Sequence, residues 1–172
     1  MQDLGIMLRA HESKYFMTEK KRNKKMNILL LVEDGLKGTE NQCLGVLEQL
    51  GLPFDHHNFK MRAPWRWLSP FLGWGSLCAL TPHIPGNKHY DLIIAAGRKA
   101  IAPAIALKKK MKAKAVFIQK PINASFARKF DLVIAPAHDR LNTENTTQVI
   151  GSPNRISPAF INGCANDFPE LA

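Results

Sequence analysis

The sequence predicts an α/β fold, built on a doubly wound parallel sheet with helices on both faces, in three layers and a single domain. Short apolar runs alternate with helical patterns along the chain, which is typical of parallel strands joined by crossover helices. The first run, residues 27–32 (NILLLV), is apolar after its first residue, as expected for a strand covered on both faces. A length of 172 residues suits one well-buried core.

The elements follow in order from Met26. We expect strands over residues 27–32, 54–59, 91–96, 115–119, 131–135 and 147–150. We expect a helix over residues 39–50 with Thr39 as its N-cap, a second over 98–112, and a turn or two of helix within 121–129. Residues 60–90 contain four prolines, so there we expect an irregular excursion with one short helix. This order predicts a Rossmann-like architecture with right-handed crossovers.

The chain divides into three parts. Residues 1–25 lack a sustained apolar period and end in a basic run, so we interpret them as a flexible basic extension. Residues 26–160 form the Rossmann-like domain, and 161–172 form a C-terminal tail or the start of a linker to an absent second domain. The apolar stretch from Met26 to Val32 is too short for a membrane span and has no cleavage site after it. We therefore expect a cytoplasmic protein, with a location peripheral to a membrane as the alternative.

The formal net charge is +10, and it is unevenly distributed. Residues 1–26 hold seven Lys and Arg against three acids, and residues 98–114 hold seven against none. A nucleic-acid surface should extend along one face, whereas these blocks fall in a tail and at a helix end, which argues against a nucleic-acid partner. The lysines at the end of the second block complement the C-terminus of the preceding helix, and attraction to a membrane surface is the alternative.

The three cysteines, Cys43, Cys78 and Cys164, are far apart and lack the paired spacing of a zinc site, so we predict no metal. We interpret them as buried thiols in a reducing compartment.

A run of large apolar and aromatic side chains is interleaved with Arg62 and Arg66. The favoured interpretation is that these side chains seal an edge of the core, and a lipid interface or an acceptor cleft is the alternative. The run comprises Trp65, Trp67, Phe71, Leu72 and Trp74.

Polar residues follow the strands at their carboxyl ends, where ligands bind in open α/β sheets. The predicted topology should bring these residues to one rim. The candidate ligand-binding residues are Gly35, Lys37, Gly38, Gln42, Gly97, Arg98, Gln119, Asn154 and Arg155.

The loop after the first strand carries Gly35 and Gly38 ahead of a helix, where backbone N–H groups could approach an anion. A tight strand-to-helix turn is an equal alternative for these two glycines. The loop matches neither the dinucleotide fingerprint nor the P-loop, so no cofactor is predicted. Arg98 opposes the helix dipole, which indicates either an anionic ligand or a neighbouring acid.

The candidate catalytic residues are Asp34, His138 and Asp139. His138 and Asp139 could form a general base and its orienting carboxylate or bind a sugar hydroxyl, while a structural role for the histidine is the alternative. We expect Asp34, Arg98 and His138 to approach one another at the rim.

Five motifs in order carry a family resemblance. They are DGLKGTENQ at 34–42, APWRWLSP at 63–70, DLIIAAGRKAIAPAIALKK at 91–109, FDLVIAPAHDRL at 130–141 and GSPNRISP at 151–158. Over about residues 27–160 the chain resembles the mitochondrial fission "elongated mitochondria" (ELM) family. Members of that family resemble GT-B glycosyltransferases, in which two Rossmann-like domains face each other across a cleft.

The resemblance implies an N-terminal, acceptor-side domain that is inactive alone, because the second domain of a GT-B enzyme holds most of the nucleotide-sugar donor. It implies a sugar or lipid-linked acceptor and a second α/β domain or protein partner. The alternative is a non-catalytic interaction module, as suggested by the role of plant members in recruiting fission machinery to a mitochondrial surface. Whether the chain is an enzyme stays open at this point.

Overall fold

The computed structural model describes residues 26–69, 71 and 76–155. The interpretations of residues 1–25 and 161–172, of Leu72 and Trp74, and of Cys164 lie outside this part of the chain. Within the described residues a seven-stranded sheet forms. Its strands are β1 (Ile28–Glu33), β2 (Phe54–Met61), β3 (Leu80–Thr81), β4 (Leu92–Ala96), β5 (Lys114–Ile118), β6 (Leu132–Pro136) and β7 (Thr146–Val149).

Helices and helical turns connect most of these strands. They are α1 (Lys37–Leu50), α2 (Trp65–Leu68), α3 (Ile101–Met111) and α4 (Ala124–Ala127), with 3-10 turns at Arg98–Ala100 and Ala137–Asp139.

The strand order is β3-β2-β1-β4-β5-β6-β7, and every neighbouring pair is parallel except β2 and β3. In this register Leu30 of β1 lies opposite His56 of β2 on one side and Ile94 of β4 on the other. The chain moves outward from β1 in one direction and then outward from β4 in the other. The predicted doubly wound α/β fold is confirmed, and its topological switch point lies between β1 and β4.

The central strands are apolar on both faces, so both faces acquire a helix layer. On one face Leu30 and its neighbours pack against Cys43 and Leu47 of α1. On the other face Leu31 belongs to a cluster that includes Ile101 and Leu107 of α3. Burying large apolar side chains on both sides of the sheet stabilises the three layers by roughly 1.5–3 kcal/mol for each side chain.

Two predicted helix starts are wrong. The first helix begins at Lys37, and its N-cap position is Leu36, which makes no side-chain capping hydrogen bond. Thr39 therefore lies inside the first turn, because the turn at 34–35 joins strand to helix within three residues. The predicted helix over 98–112 is split into a 3-10 turn and α3, and it ends at Lys112, which has a left-handed φ of 53°.

In its described residues, the excursion between β2 and β4 contains one short helix, as predicted, and also the antiparallel strand β3. A strand of two residues carries no periodic pattern, so the sequence did not indicate it. The prediction that the aromatic residues seal the core is wrong for Trp67 and Phe71, which are 68% and 69% exposed. Of the three described aromatic residues in this set, Trp65 alone packs against the core, because a single helical turn directs only part of its surface inward.

The prediction of buried thiols is correct for Cys43 and wrong for Cys78, which is exposed.

Candidate functional site

The loops that follow β1 and β4 emerge side by side at the switch point. Val32 of β1 lies opposite Ala96 of β4, so Asp34 and Arg98 follow neighbouring strands at the same edge of the sheet. Parallel strands lie about 4.8 Å apart, and ligands of open α/β sheets bind where the strand order reverses. We call residues 33–39 and 97–99 the β1–β4 crevice.

On the β1 side of the crevice, Asp34 is held by two contacts. Its backbone N–H donates to the carbonyl of Phe59 at 2.9 Å, and its Oδ2 lies 3.2 Å from Nζ of Lys60. Its carboxylate remains exposed to solvent. Gly35 follows with a φ of +86°, a conformation that lets the chain turn from the strand into α1.

On the β4 side, the backbone approaches the start of α1 closely. A Cβ at Gly97 would lie 3.6 Å from Cδ1 of Leu36 and 3.8 Å from Cγ2 of Thr39, and Gly97 itself has a φ of +88°. Glycine is therefore suited to this position mainly by its backbone conformation.

Arg98 and Lys99 follow Gly97 and have different partners. The Lys99 ammonium donates to Oε1 of Glu33 across the switch point, so this ion pair ties β4 to β1. Arg98 is exposed, and within the described part of the chain no acid pairs with it. Arg98 was interpreted as the partner of either an anionic ligand or a neighbouring acid, and no such acid is found among these residues.

Gln119, after β5, also reaches this region. Its Nε2 donates to Oε1 of Gln42 at 2.7 Å and lies 3.4 Å from Oγ1 of Thr39. Gln119 has a φ of 86°, a conformation that is costly for a residue other than glycine and often accompanies functional sites. The structure thus brings the third predicted loop against α1.

A buried carboxylate beside the crevice was not predicted. Glu40 of α1 is only 8% exposed and accepts hydrogen bonds from Lys37 Nζ at 2.8 Å and Asn58 Nδ2 at 3.4 Å, with His56 Nε2 at 3.2 Å. The hydrogen bond from Lys37 is the main cause that lowers the pKa of Glu40, against the opposing effect of burial. Lys37 is consequently engaged in an ion pair. The alternation of His56 and Asn58 along β2 was the available signal for this polar cluster.

His138 lies at the same edge of the sheet but away from the crevice. Strands β4 and β5 separate β6 from β1, so the strands that precede His138 and Asp34 lie roughly 14 Å apart. Its side chain is 75% exposed, and its Nε2 lies 3.8 Å from Oδ1 of Asp139, too far for a hydrogen bond. The predicted base and orienting carboxylate are therefore not joined. An open groove of about 590 Å³ lies beside them, lined by Ala137, Arg140, Leu141, Asn142, Thr146 and Gln148.

Asn154 and Arg155 do not join the crevice, contrary to the prediction. Arg155 forms a bidentate ion pair with Glu48 in the last turn of α1, at 2.7 and 3.1 Å. The carbonyl of Asn154 packs so closely on α1 that a Cβ at Gly45 would lie 2.1 Å from its oxygen. The chain after β7 therefore runs along α1, toward the opposite end from the crevice.

Among the described residues, no group of three or more His, Cys, Asp or Glu side chains is placed to hold a metal ion. The same residues include no helix with the length and apolar character needed to cross a membrane.

A family model described as "Mitochondrial fission ELM1" matches residues 37–172, which begins at the first residue of α1 and includes β2 to β7. No curated protein and no solved structure matches the chain.

Proposed function

Because the chain belongs to the mitochondrial fission ELM1 family, we propose that it is the acceptor-side domain of a GT-B glycosyltransferase-like protein. In this proposal the β1–β4 crevice binds a sugar or lipid-linked acceptor. A second α/β domain supplies the nucleotide-sugar donor, so the domain is inactive alone.

The observation that carries this proposal is that an exposed carboxylate and a guanidinium with no acidic partner among the described residues both lie at the switch point. Asp34 and Arg98 follow the two strands from which the sheet grows in opposite directions. Gly97 brings the β4 backbone close to the start of α1, and Gln119 fixes a third loop against the same helix. A crevice with these properties is the usual ligand site of open α/β sheets.

The chemistry assigns a role to each side of the crevice. An acceptor hydroxyl attacks the anomeric carbon of the donor, the bond from that carbon to the nucleoside diphosphate breaks, and the hydroxyl proton passes to the carboxylate of Asp34. Arg98 binds an anionic group, because its guanidinium is exposed and no acid of the described chain neutralises it. His138 and Asp139 are too far from Asp34 to share this role.

Binding measurements test the proposal. Calorimetric titrations would compare this chain with a longer form carrying a second α/β domain, using UDP-glucose and GDP-mannose as donor probes and a short polyprenyl phosphate as an acceptor probe. We expect the acceptor probe to bind both forms and the donor probes to bind only the longer one. Arg98→Ala should weaken acceptor binding about tenfold or more, whereas Lys88→Ala, at an exposed lysine paired with Asp55 near the start of β2, should not.

The alternative function is a non-catalytic interaction module. The exposure of Trp67 and Phe71 favours it, because large exposed aromatic side chains mark interaction surfaces. If neither form of the protein binds a donor or an acceptor probe, this alternative replaces the enzyme proposal.

A further inference from the structure

The two faces of the sheet differ in charge. Residues 33–55, which include α1, hold five acids and one lysine. Residues 56–90 and 92–130, which include α2, α3 and α4, hold fourteen Lys and Arg and no acid, with Asp91 alone between them. The helices α3 and α4 and Trp65 of α2 pack against the same face of the sheet. The positive charge of the folded part is therefore concentrated on one side of the domain.

Many of these cations make no ion pair within the part of the chain that the structure describes. Lys60, Lys88 and Lys99 pair with Asp34, Asp55 and Glu33. Near α3, Asp131 binds Lys108 at 2.8 Å and Lys114 at 3.0 Å. Four further cations are exposed and make no ion pair with any described residue. They are Lys109, Lys110, Lys112 and Arg128.

Large apolar side chains are exposed on the same side. Trp67, Leu68 and Phe71 are 68%, 48% and 69% exposed, within five residues of sequence. The guanidinium carbon of Arg66 lies 5.7 Å from the centre of the Trp67 ring. We call residues 66–68 and 71 the aromatic segment.

A chain of contacts joins the aromatic segment to the lysines. The Phe71 ring meets the Phe126 ring of α4 edge-on at 5.9 Å, and Nζ of Lys129 lies 4.7 Å from the centre of the Phe126 ring. The carbonyl of Lys129 accepts a hydrogen bond from Lys108 of α3 at 3.0 Å. The exposed apolar groups and the cations thus form one continuous surface, which we call the basic face.

We propose that the basic face docks on the surface of an anionic lipid bilayer, with Trp67, Leu68 and Phe71 inserted at the interface. Aromatic and aliphatic side chains next to Lys and Arg are the combination that binds membrane interfaces, where apolar burial and attraction to anionic headgroups add together. Glu40 and Glu48 belong to α1 on the other face of the sheet, and Lys108 and Lys114 neutralise Asp131, so these acids do not oppose this orientation. The inference goes beyond the proposed function and does not depend on the crevice binding a sugar.

A lipid surface suits this face better than a nucleic acid does. Stacking on bases uses aromatic rings, but it gives no role to an exposed aliphatic side chain such as Leu68. The cations are also distributed over two helices and a loop around the aromatic segment, which suits a plane of headgroups.

The test is sedimentation of the full chain with vesicles of phosphatidylcholine alone or mixed with phosphatidylglycerol. We expect binding to the mixed vesicles only, a blue shift of tryptophan fluorescence, and weakening as salt is raised. Trp67→Ser/Phe71→Ser should reduce partitioning at least about tenfold, and so should Lys109→Glu/Lys110→Glu/Lys112→Glu. The matched control is Leu50→Ser/Leu52→Ser, which removes two exposed leucines on the α1 side.

Several outcomes overturn the inference. The first is that the wild type and both basic-face variants bind equally. The second is that vesicles with and without phosphatidylglycerol are bound equally. The third is that the protein binds single-stranded RNA and does not bind vesicles. Circular dichroism of each variant guards against misfolding, and because all substituted side chains are exposed we expect native spectra. A vesicle result is separate from the sugar-binding result, so either proposal can fail while the other stands.

Discussion

The side-chain amide of Gln119 donates to Oε1 of Gln42 at 2.7 Å, across 77 residues of sequence. The contact connects the end of β5, one strand beyond the switch point, to α1, which follows β1. It also accompanies a φ of 86° at Gln119, so the backbone there is held in a conformation that a non-glycine residue adopts only under constraint.

Two substitutions of Gln119 should distinguish the effect of its hydrogen bond on stability from the effect of its backbone conformation. Gln119→Ala removes the bond to Gln42 and should lower the free energy of unfolding by about 1 kcal/mol. Gln119→Gly removes the same bond but relieves the backbone, so it should be more stable than the alanine variant by about 1 kcal/mol. Urea unfolding measures both values. Gln49→Ala, at an exposed position of α1, is the control and should change stability by less than about 0.5 kcal/mol. An alanine variant as stable as the glycine variant would contradict the described conformation.

Two glycines of the crevice should respond in opposite ways to alanine. Gly97→Ala places a Cβ at a residue with a φ of +88° and should destabilise the protein by about 1 kcal/mol or more. Gly38→Ala places a Cβ in open space within α1 and should stabilise by roughly 0.5–1 kcal/mol, because alanine favours the helix. Thermal and urea unfolding of the pair check the difference in sign. Destabilisation by both substitutions would indicate that Gly38 has a backbone role that the structure does not give it.

The fold was largely predictable because the central strands are apolar on both faces. Residues 28–32 have apolar side chains in unbroken succession, which only a strand covered on both sides can bury. The short strand β3 and the start of α1 were not predictable. The first has two residues and no pattern, and the second has no side-chain cap to mark it.

The edge of the sheet that carries the site was predictable from the sequence. The distances between site residues along that edge were less predictable. The end of a strand indicates which edge of the sheet a loop occupies, and Asp34, Arg98 and Gln119 do share that edge. The order of strands decides the spacing, and it separates His138 from Asp34 by three strand intervals. Arg155 follows a strand as well, but its ion pair with Glu48 directs the chain along α1, and no local pattern indicates such a long-range contact.

Close packing of the chain after β7 on α1 should depend on Gly45. A Cβ there would lie 2.1 Å from the carbonyl oxygen of Asn154 and 3.1 Å from the amide nitrogen of Arg155, so the backbone of residues 154–155 must move. Gly45→Ala should therefore weaken the ion pair between Arg155 and Glu48 and increase hydrogen exchange in residues 151–155. The Gly38→Ala variant of the same helix is the control and should leave exchange in this segment unchanged.

Asp131 should contribute stability that is lost in acid. Burial tends to raise the pKa of its carboxyl, but hydrogen bonds from Lys108, the backbone of Ala115 and Lys114 together outweigh burial and lower the pKa to about 2. A carboxyl whose pKa is lower in the folded state stabilises the protein above its unfolded pKa near 4, and this stability is lost as the pH falls from about 4 toward 2.

The contribution should be up to about 2 kcal/mol at neutral pH, reduced by solvent screening of the partly exposed group. Urea unfolding at several pH values should show a steeper loss of stability between about pH 4 and pH 2 for the wild type than for Asp131→Asn. Asp139→Asn is the control and should follow the wild-type profile, because among the described residues the one cation near its carboxylate is the exposed His138, at 3.8 Å. Parallel profiles for the wild type and Asp131→Asn would show that the pair with Lys108 and Lys114 contributes nothing.

Cys43 and Cys78 should react with alkylating reagents at very different rates. Burial is the main cause that raises the pKa of the Cys43 thiol to about 12, and the charge of Glu40 adds to it, so at pH 8 roughly one thiol in 10⁴ is a thiolate. Cys78 is exposed and has no such protection from reagent. Timed labelling with iodoacetamide, followed by peptide mass spectrometry to resolve each cysteine, should give rapid modification of Cys78 and almost none of Cys43. In urea the two should label at similar rates. Access to Cys43 requires α1 to separate from β1 and β4. Rapid labelling of Cys43 in the native protein would therefore mean that α1 opens readily, and the packing described for that face of the sheet would be wrong.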